Sequence, residues 1–149
     1  IYGSGSKREE LLKLSKNLNV NLEIIDSISN NELINRLQNI KYFILPSHYE
    51  GNPKALLEAM SAGCIVFASN INNHNEIINH RVNGFLFDLH KGSLNDVLSQ
   101  VINNSNFNKE ELDSISKNAV KTINDKYSIS KILNEEKNML NNLVNDGKY

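Results

Sequence analysis

The sequence predicts an α/β fold of the Rossmann-like type: a doubly wound parallel sheet with helices on both faces and a helical C-terminal tail. Two patterns carry this prediction. Short apolar runs typical of buried strands alternate four times with segments whose apolar residues recur at helical spacing, and the connections are short. From residue 94 onward only helical spacing is found. At 149 residues, the chain has the length of one domain and can bury a sizeable core.

The first part of the chain is expected to form two helices and two strands. Leucines at helical spacing predict a helix over residues 8–18, and an alternating pattern predicts a strand over residues 20–25. Ser29 and the glutamate three residues later have the spacing of a capping box, which predicts a second helix over residues 29–40. The uninterrupted apolar run Tyr42–Leu45 predicts a strand that is covered on both faces.

Signals for helix ends are clear in the middle of the chain. Residues 53–62 are predicted to form a helix. Asn52 is expected as its N-cap, Pro53 as its first helical residue and Gly63 as the residue directly after its end. Elsewhere asparagine is so frequent that it is given little weight as a capping signal. The remaining predicted elements are a buried strand at 65–68, a short helix at 75–79, a turn at 83–84, a strand at 85–87, and helices at 94–102, 109–127 and 130–144.

The opening residues indicate that the chain is part of a longer protein. It begins with Ile1 and enters at once on a glycine-rich turn, so the first residues have the pattern of the end of a strand. The turn contains Gly3 and Gly5 but lacks the third glycine of a dinucleotide-binding fingerprint, because Arg8 stands at that position. A dinucleotide site is therefore not expected here.

Composition and charge exclude several classes of protein. With 16 Lys and Arg against 17 Asp and Glu, the formal net charge of −1 offers no general attraction for nucleic acid or anionic lipid. No apolar run approaches the roughly 20 residues of a membrane-spanning helix. The single cysteine, Cys64, excludes an internal disulfide and a cysteine zinc cluster, and fits a reducing compartment. The four histidines lack the spacing of metal ligands, so no metal site is expected.

The segment after the strand at 42–45 carries most of the expected chemistry. Ligands of doubly wound sheets bind beyond the carboxyl ends of the strands. Gly51 permits close approach of the backbone to a ligand, and the first amides of the helix at Pro53 favour an anion such as phosphate. Glu50 lies before that helix and Glu58 inside it. The two carboxylates are therefore expected to reach different parts of an elongated ligand.

Some of these residues also have an ordinary structural interpretation. Lys54, in the first helical turn, is either solvated or a partner of a phosphate. Glu58 alone would be a solvated helix residue, and Glu76 an acidic residue that favours the helix dipole. The coincidence of Gly51, the helix start and two glutamates at the end of a buried strand favours a ligand site.

This segment resembles the donor-site signature of the retaining glycosyltransferases of family 4, which have the two-domain GT-B fold. In that signature seven residues separate two glutamates, and a glycine follows the first of them. The similarity extends over roughly residues 1 to 88. The residues that carry it are Pro46, Ser47, Glu50, Gly51, Pro53, Leu56, Leu57, Glu58, Ala59, Met60, Ala62 and Gly63.

The resemblance implies that residues 1–149 are a C-terminal nucleotide-sugar-binding domain. Residues 128–149 would be the terminal helix that crosses back to an N-terminal domain. Glu50 would be the catalytic residue that contacts hydroxyls of the donor sugar at its reacting end, and Glu58 would accept hydrogen bonds from the ribose. The donor-binding backbone stretch would consist of Gly51, Asn52, Pro53, Lys54, Ala55 and Leu56.

The resemblance also implies what the whole enzyme does. It would be a hexosyltransferase-type glycosyltransferase that moves a sugar from a nucleotide-diphosphate sugar, with UDP-sugar as the expected donor, to a glycan or lipid-linked acceptor in the cytoplasm. No cofactor or metal and no nucleic-acid partner are expected, and peripheral membrane contact is compatible with the complete protein. The family's basic pair that grips the diphosphate would precede Ile1, so this chain alone is expected to be inactive. The alternative is a non-catalytic α/β module that binds a nucleotide or anion.

Overall fold

The computed structural model describes residues 1–103 and 106–145. The chain divides into two compact units, Ile1–Arg36 and a second unit that begins at Leu37. The elements, in chain order, are α1 (Arg8–Asn17), α2 (Asn30–Leu37), β1 (Tyr42–Leu45), α3 (Lys54–Ser61), β2 (Ile65–Ser69), α4 (Asn72–Asn75), β3 (Phe85–Phe87), α5 (Ser93–Ile102), α6 (Lys109–Lys126) and α7 (Ile129–Asn145).

The second unit contains a parallel sheet whose three strands lie in the order β1-β2-β3. Tyr42 of β1 pairs with Ile65 of β2, and Phe67 of β2 pairs with Phe85 of β3. Helix α3 connects the first two strands, and the segment that contains α4 connects the second and third, as parallel strands require. The predicted α/β fold with a parallel sheet is therefore confirmed.

Strand β2 lies at the centre of the core. All five of its residues are buried, because β1 and β3 flank it and α3 and α6 pack against it. The rings of Phe67 and Phe85 stack with centroids 5.1 Å apart, and Phe107 meets Phe85 edge-on, also at 5.1 Å. Burying each such ring contributes about 1.5 to 3 kcal/mol to folding. The buried residues of this cluster are Ile65, Phe67, Phe85, Phe87, Val101, Leu112 and Ile115.

Strand β1 is less buried than predicted. Ile44 is 42% exposed, and the other residues of the strand are only half-buried. The reason is that β1 is an edge strand of the sheet that the described residues form, so one of its sides has no neighbouring strand there. The continuous apolar run at 42–45 identified the strand correctly but not its environment.

In the first unit, the strand predicted over residues 20–25 is wrong. Ile25 instead makes an isolated parallel bridge with Tyr2. The amide of Gly3 donates to the carbonyl of Ile25 at 2.8 Å. At Gly3 the backbone turns with φ +126°, a conformation that glycine adopts without strain. Two more hydrogen bonds join the segments, from the Ile25 amide to the carbonyl of Ile1 at 2.9 Å and from the Ile1 amino group to the carbonyl of Glu23 at 2.8 Å.

Helix α2 begins as predicted and ends earlier. The hydroxyl of Ser29 accepts the amide of Glu32 at 3.3 Å, which confirms Ser29 as a capping residue. The carboxylate of Glu32 accepts two hydrogen bonds from Arg36, at 2.7 and 3.2 Å. The helix stops at Leu37, where the carbonyl accepts the Ile40 amide in a tight turn.

The predicted end of α3 is confirmed. Gly63 has φ +83°, and its amide donates to the carbonyl of Met60 at 3.1 Å. The amide of Cys64 donates to the carbonyl of Ala59 at 3.0 Å. These two bonds form a Schellman motif, which needs a residue that tolerates positive φ directly after the helix.

One predicted helix start is wrong, and so is one expectation about helix capping. The short helix expected at 75–79 is α4, Asn72–Asn75, and it begins three residues earlier because Ile71 is the last extended residue before it (φ −120°, ψ 158°). The low weight given to asparagine as a cap is wrong at Asn108. Its side chain accepts the Glu111 amide at 2.9 Å, and the Glu111 carboxylate accepts the Asn108 amide at 2.8 Å, which is a complete capping box.

Helix α7 presents an apolar stripe to solvent. It starts at Ile129, one residue before the predicted start at 130, and residues 146–149 of the predicted terminal helix lie outside the described residues. Large apolar side chains with 41 to 77% exposure recur along it at helical spacing. We call this set the α7 stripe: Ile129, Ile132, Leu133, Met139, Leu140 and Leu143. Across the described ranges, none of the helices combines the length and the apolar character needed to span a bilayer.

His80 accepts a hydrogen bond from β3, and its lowered pKa predicts a loss of stability in mild acid. His80 Nδ1 accepts the amide of Leu86 at 3.0 Å, and partial burial, followed by the charge of Arg81, lowers the pKa of His80 below 6.5. The unfolded chain therefore binds the proton first, and stability is lost as the pH falls below 6.5 toward the lower pKa of the folded state. We expect His80→Asn, which keeps an acceptor but does not titrate, to lose less stability than the wild type between pH 7.5 and 5.0 in urea unfolding. Equal losses in the two proteins would contradict this role.

Candidate functional site

The connection between β1 and α3 differs from the prediction at the helix start. The first helical residue is Lys54, and Pro53 is the N-cap with φ −79° and ψ 62°. Asn52 was expected to cap the helix, but no side chain caps it; instead the Asn52 carbonyl accepts the Lys54 amide at 2.8 Å. The cap position is taken by a residue whose ring fixes φ and whose side chain has no acceptor. The first amides of α3 are therefore not satisfied by a capping side chain.

Some amides in this connection are already used inside the chain. Those of Leu56 and Leu57 both donate to the carbonyl of Pro53, at 3.0 and 3.1 Å, and that of Lys54 is bonded as described. Others have no acceptor among residues 1–103 and 106–145 and can donate to a ligand. The amides of Gly51, Asn52 and Ala55, at and directly before the helix start, are among them.

Glu50 is held in a defined position in this connection. Its side chain is half-buried, and its Oε1 accepts a hydrogen bond from the hydroxyl of Ser47 at 2.6 Å, a charge-assisted bond. The carbonyl of Ser47 in turn accepts the hydroxyl of Ser69, the last residue of β2. The carboxylate is thus linked through two serines to the neighbouring strand.

A second link to the region after β2 comes from Asn73 on α4. Its Nδ2 donates to the carbonyl of Glu50 at 2.7 Å and to that of Gly51 at 2.8 Å. Because β1 and β2 are parallel neighbours, their carboxyl ends lie at the same edge of the sheet. The segments that follow the two strands therefore meet there.

His74 is a further polar residue in this region and contacts Ser69. It is fully buried, and its Nδ1 lies 2.8 Å from the Ser69 carbonyl and 3.3 Å from the Ser69 hydroxyl. Donation to the carbonyl requires the proton on Nδ1, which leaves Nε2 as an acceptor, and Nε2 is buried without a partner among the described residues. In that same part of the chain, no group of three or more His, Cys, Asp and Glu side chains is arranged to hold a metal ion.

The other predicted side chains surround the start of α3. Glu58 lies within α3 and is half-buried, and its carboxylate has no hydrogen-bond partner among the described residues. Lys54 is exposed in the first turn. Leu56 is completely buried, so only its backbone could face a ligand, and its amide is already paired. Ala55 is half-buried.

A cavity of about 340 Å³ opens beside the connection, within the size range of small-molecule sites. It brings together Gly51, Asn52 and Pro53 of the predicted residues with Asn73 and Glu76, but neither Glu50 nor Glu58 lines it. Tyr127 borders it as well. Burial, followed by the negative charge of Glu76, raises the pKa of Tyr127 above 10.

Several polar residues that organise this connection have no predicted role in the sequence. Ser47 lies inside the recognised motif, and Ser69, Asn73 and His74 follow or end β2. One signal could have found them. In a parallel sheet the segments after neighbouring strands converge, so polar residues after β2 were candidates to meet the connection after β1.

Comparison with known proteins identifies the family. The family model described as "Glycosyl transferases group 1" matches residues 1–122. Over 59 residues the chain is 42% identical to the UDP-Gal:alpha-D-GlcNAc-diphosphoundecaprenol alpha-1,3-galactosyltransferase of Escherichia coli, a match that covers 40% of this chain and 15% of the relative. Over 143 residues it is 27% identical to the poly(ribitol-phosphate) alpha-N-acetylglucosaminyltransferase of Staphylococcus aureus, covering 95% and 28%. The matched segments thus cover less than a third of the length of either relative.

Solved structures show the same fold. The C-terminal domain of the glycosyl transferase group 1 family protein LpcC from Francisella tularensis matches with a TM-score of 0.67 and 27% identity, over 82% of this chain and 63% of that one. HepE of Anabaena in complex with UDP and glucose matches in fold, with a TM-score of 0.78 and 18% identity, over 95% and 40%. Together with the family model, which covers most of the chain, these matches show that the chain belongs to the group 1 glycosyl transferases.

Proposed function

We propose that this chain is the donor-binding part of a retaining GT-B glycosyltransferase of family 4. It binds a nucleotide-diphosphate sugar, with UDP-sugar as the donor, for hexosyl transfer to a glycan or lipid-linked acceptor in polysaccharide biosynthesis. The observation that carries the proposal is the connection between β1 and α3, which presents the fixed carboxylate of Glu50 beside unpaired amides that include those of Gly51, Asn52 and Ala55. The UDP-Gal in the name of the E. coli relative and the UDP bound to HepE support the choice of base.

The proposed roles follow the charges that develop during transfer. Breaking the bond between the sugar and the diphosphate builds positive charge on the sugar ring and negative charge on the leaving group. A carboxylate stabilises the first and amides at a helix start stabilise the second. We assign Glu50 to the reacting end of the sugar, and the free amides from Gly51 to Ala55 to the diphosphate. Lys54 is exposed and can reach a phosphate.

Glu58 is assigned to the other end of the donor. We propose that its carboxylate accepts hydrogen bonds from the ribose hydroxyls, because it is half-buried and has no partner among the described residues. A carboxylate in that state has unused acceptor capacity, which two neighbouring hydroxyls can fill.

The domain arrangement is part of the proposal. Residues 1–149 would be the C-terminal domain, and the helix within residues 128–149 would cross back to an N-terminal domain that binds the acceptor. The α7 stripe supports this, because an apolar face of that size favours burial against a partner. We place the reaction in the cytoplasm, since Cys64 is a free thiol, with the nucleotide sugar as substrate and no metal cofactor.

The test is a ligand panel on the complete protein. UDP, GDP, ADP and their sugars are compared by thermal shift, and UDP and UDP-sugars are expected to give the largest stabilisation. In the same panel we expect Glu58→Gln to weaken UDP binding about tenfold or more, because glutamine offers the two ribose hydroxyls one uncharged acceptor oxygen in place of two charged ones. Initial-rate measurements should show a smaller change in kcat.

The control is Glu110→Gln, the same change at an exposed carboxylate in the first turn of α6. It should bind UDP like the wild type. Absence of any shift with a nucleotide would refute the proposal. Nucleotide binding without sugar transfer by the complete protein would favour the non-catalytic module instead.

A further inference from the structure

The side chain of Asn73 holds two successive peptide groups at once. Its Nδ2 lies 2.7 Å from the carbonyl of Glu50 and 2.8 Å from the carbonyl of Gly51. A carboxamide nitrogen carries two hydrogens, so each carbonyl takes one of them and the donor capacity of the group is filled. The two carbonyls are thereby turned toward α4.

This arrangement determines where the next two amides point. In a trans peptide the carbonyl and the N–H of the same plane point in opposite directions, and the described residues contain no cis peptide. The Glu50 carbonyl shares its plane with the Gly51 amide, and the Gly51 carbonyl shares its plane with the Asn52 amide. Both amides therefore point away from Asn73, and neither has an acceptor among the described residues.

The space beside Gly51 is open. A Cβ built on Gly51 would have no atom within 4 Å, and its φ does not lie in the left-handed range. The backbone conformation therefore does not demand glycine, and the fold leaves room for another molecule to approach. Consecutive amides that have no acceptor within the protein form a site for anionic oxygens.

We propose that Asn73 is a positioning residue for the donor: it orients the Glu50–Gly51 and Gly51–Asn52 peptide planes so that two amides donate to oxygens of the diphosphate. This rests on the proposed function, because it needs a diphosphate ligand at the connection. Both hydrogens of the Asn73 side-chain amide are donated to backbone carbonyls. Asn73 therefore acts on the donor through the backbone. The hydroxyl of Ser47 fixes the Glu50 carboxylate separately, so the carboxylate and the amides are held by different residues.

The experiment compares affinities of the complete protein for UDP and for uridine, which lacks the diphosphate. We expect Asn73→Ala to weaken UDP binding about tenfold or more, because charge-assisted hydrogen bonds lose their geometry, with uridine binding unchanged within about twofold. Asn73→Leu has nearly the same shape but neither hydrogens to donate nor a charge, and should show the same selective loss. It carries the test if Asn73→Ala does not fold. The matched control is Asn72→Ala, on the exposed neighbour in α4, which should bind both ligands like the wild type.

The outcomes separate the inference from the proposed function. Equal weakening of UDP and uridine would show a merely structural role for Asn73 and overturn the inference, as would wild-type UDP affinity in both variants. Failure of the wild-type protein to bind UDP would overturn the proposed donor and the inference together. Selective loss for UDP supports both.

Discussion

Replacing Glu50 with glutamine is expected to reduce sugar transfer by the complete protein about 10²- to 10³-fold, the usual effect of removing one electrostatic contact to a transition state. Glutamine retains an oxygen that can accept the hydroxyl of Ser47, now 2.6 Å from the carboxylate, but it carries no charge to stabilise the sugar ring. The free energy of unfolding should change by about 1 kcal/mol or less, because only the charge assistance of one hydrogen bond is lost. Initial rates and urea unfolding measure the two quantities.

The Glu50 experiment uses Glu110→Gln as its control, because this exposed carboxylate has no part in the proposed site. Its rate should equal that of the wild type. A Glu50→Gln variant with undiminished transfer would remove Glu50 from the mechanism. An inactive variant that is also unfolded would leave Glu50 with a structural role only.

Gly84→Ala is expected to destabilise the second unit by about 1 to 3 kcal/mol, the range for overpacking a core. A Cβ at this buried position would lie 2.7 Å from Val66 Cγ2 and 3.3 Å from Ile78 Cγ2. Val66 is fully buried in β2, and its β-branched side chain has little freedom to rotate away. The measurement is the urea midpoint of unfolding.

Gly51→Ala is the matched control for this effect on stability. Its new methyl group meets no atom within 4 Å, and the backbone does not have positive φ. The free energy of unfolding should stay unchanged or rise by up to about 1 kcal/mol, because the unfolded chain loses freedom. If both variants unfold at the same urea concentration as the wild type, the close packing around Gly84 does not contribute to stability.

The fold was predictable where local patterns are strong. The bounds of β3 agree with the prediction, and those of β2 and α6 agree within one residue, because apolar spacing and turn residues suffice to define them. The predicted strand at 20–25 fails for a non-local reason: an alternating pattern is compatible with a strand, but a ladder also needs a paired segment, and the described residues provide only the bridge between Tyr2 and Ile25. The exposure of Ile44 likewise follows from the position of β1 at the edge of the sheet. The spacing of apolar residues in the sequence does not indicate the order of the strands.

The position of the site was predictable from the sequence, but the residues that hold the connection between β1 and α3 in place were not. The motif around Glu50 and the rule for ligand positions in parallel sheets located the connection. Asn73 was not found, because it lies 23 residues from Glu50 in the chain and is one of many asparagines in this sequence. Only the parallel pairing of β1 with β2 brings the two together. The prediction for Asn52 was wrong in the other direction. Asparagine is a good capping residue, but at this helix the cap position is taken by the next residue, Pro53.

Because the space around Gly51 is empty, selection for a stable fold and selection for activity should have different effects at this position. In a library of random variants sorted for cellular abundance, small side chains at this position would persist, because the native fold tolerates them. The same library sorted for product would lose them if a methyl group blocks the approach of the donor. At Gly84 both sorts would reject the larger residue, so comparing the two enrichment profiles distinguishes a glycine kept for turnover from one kept for architecture.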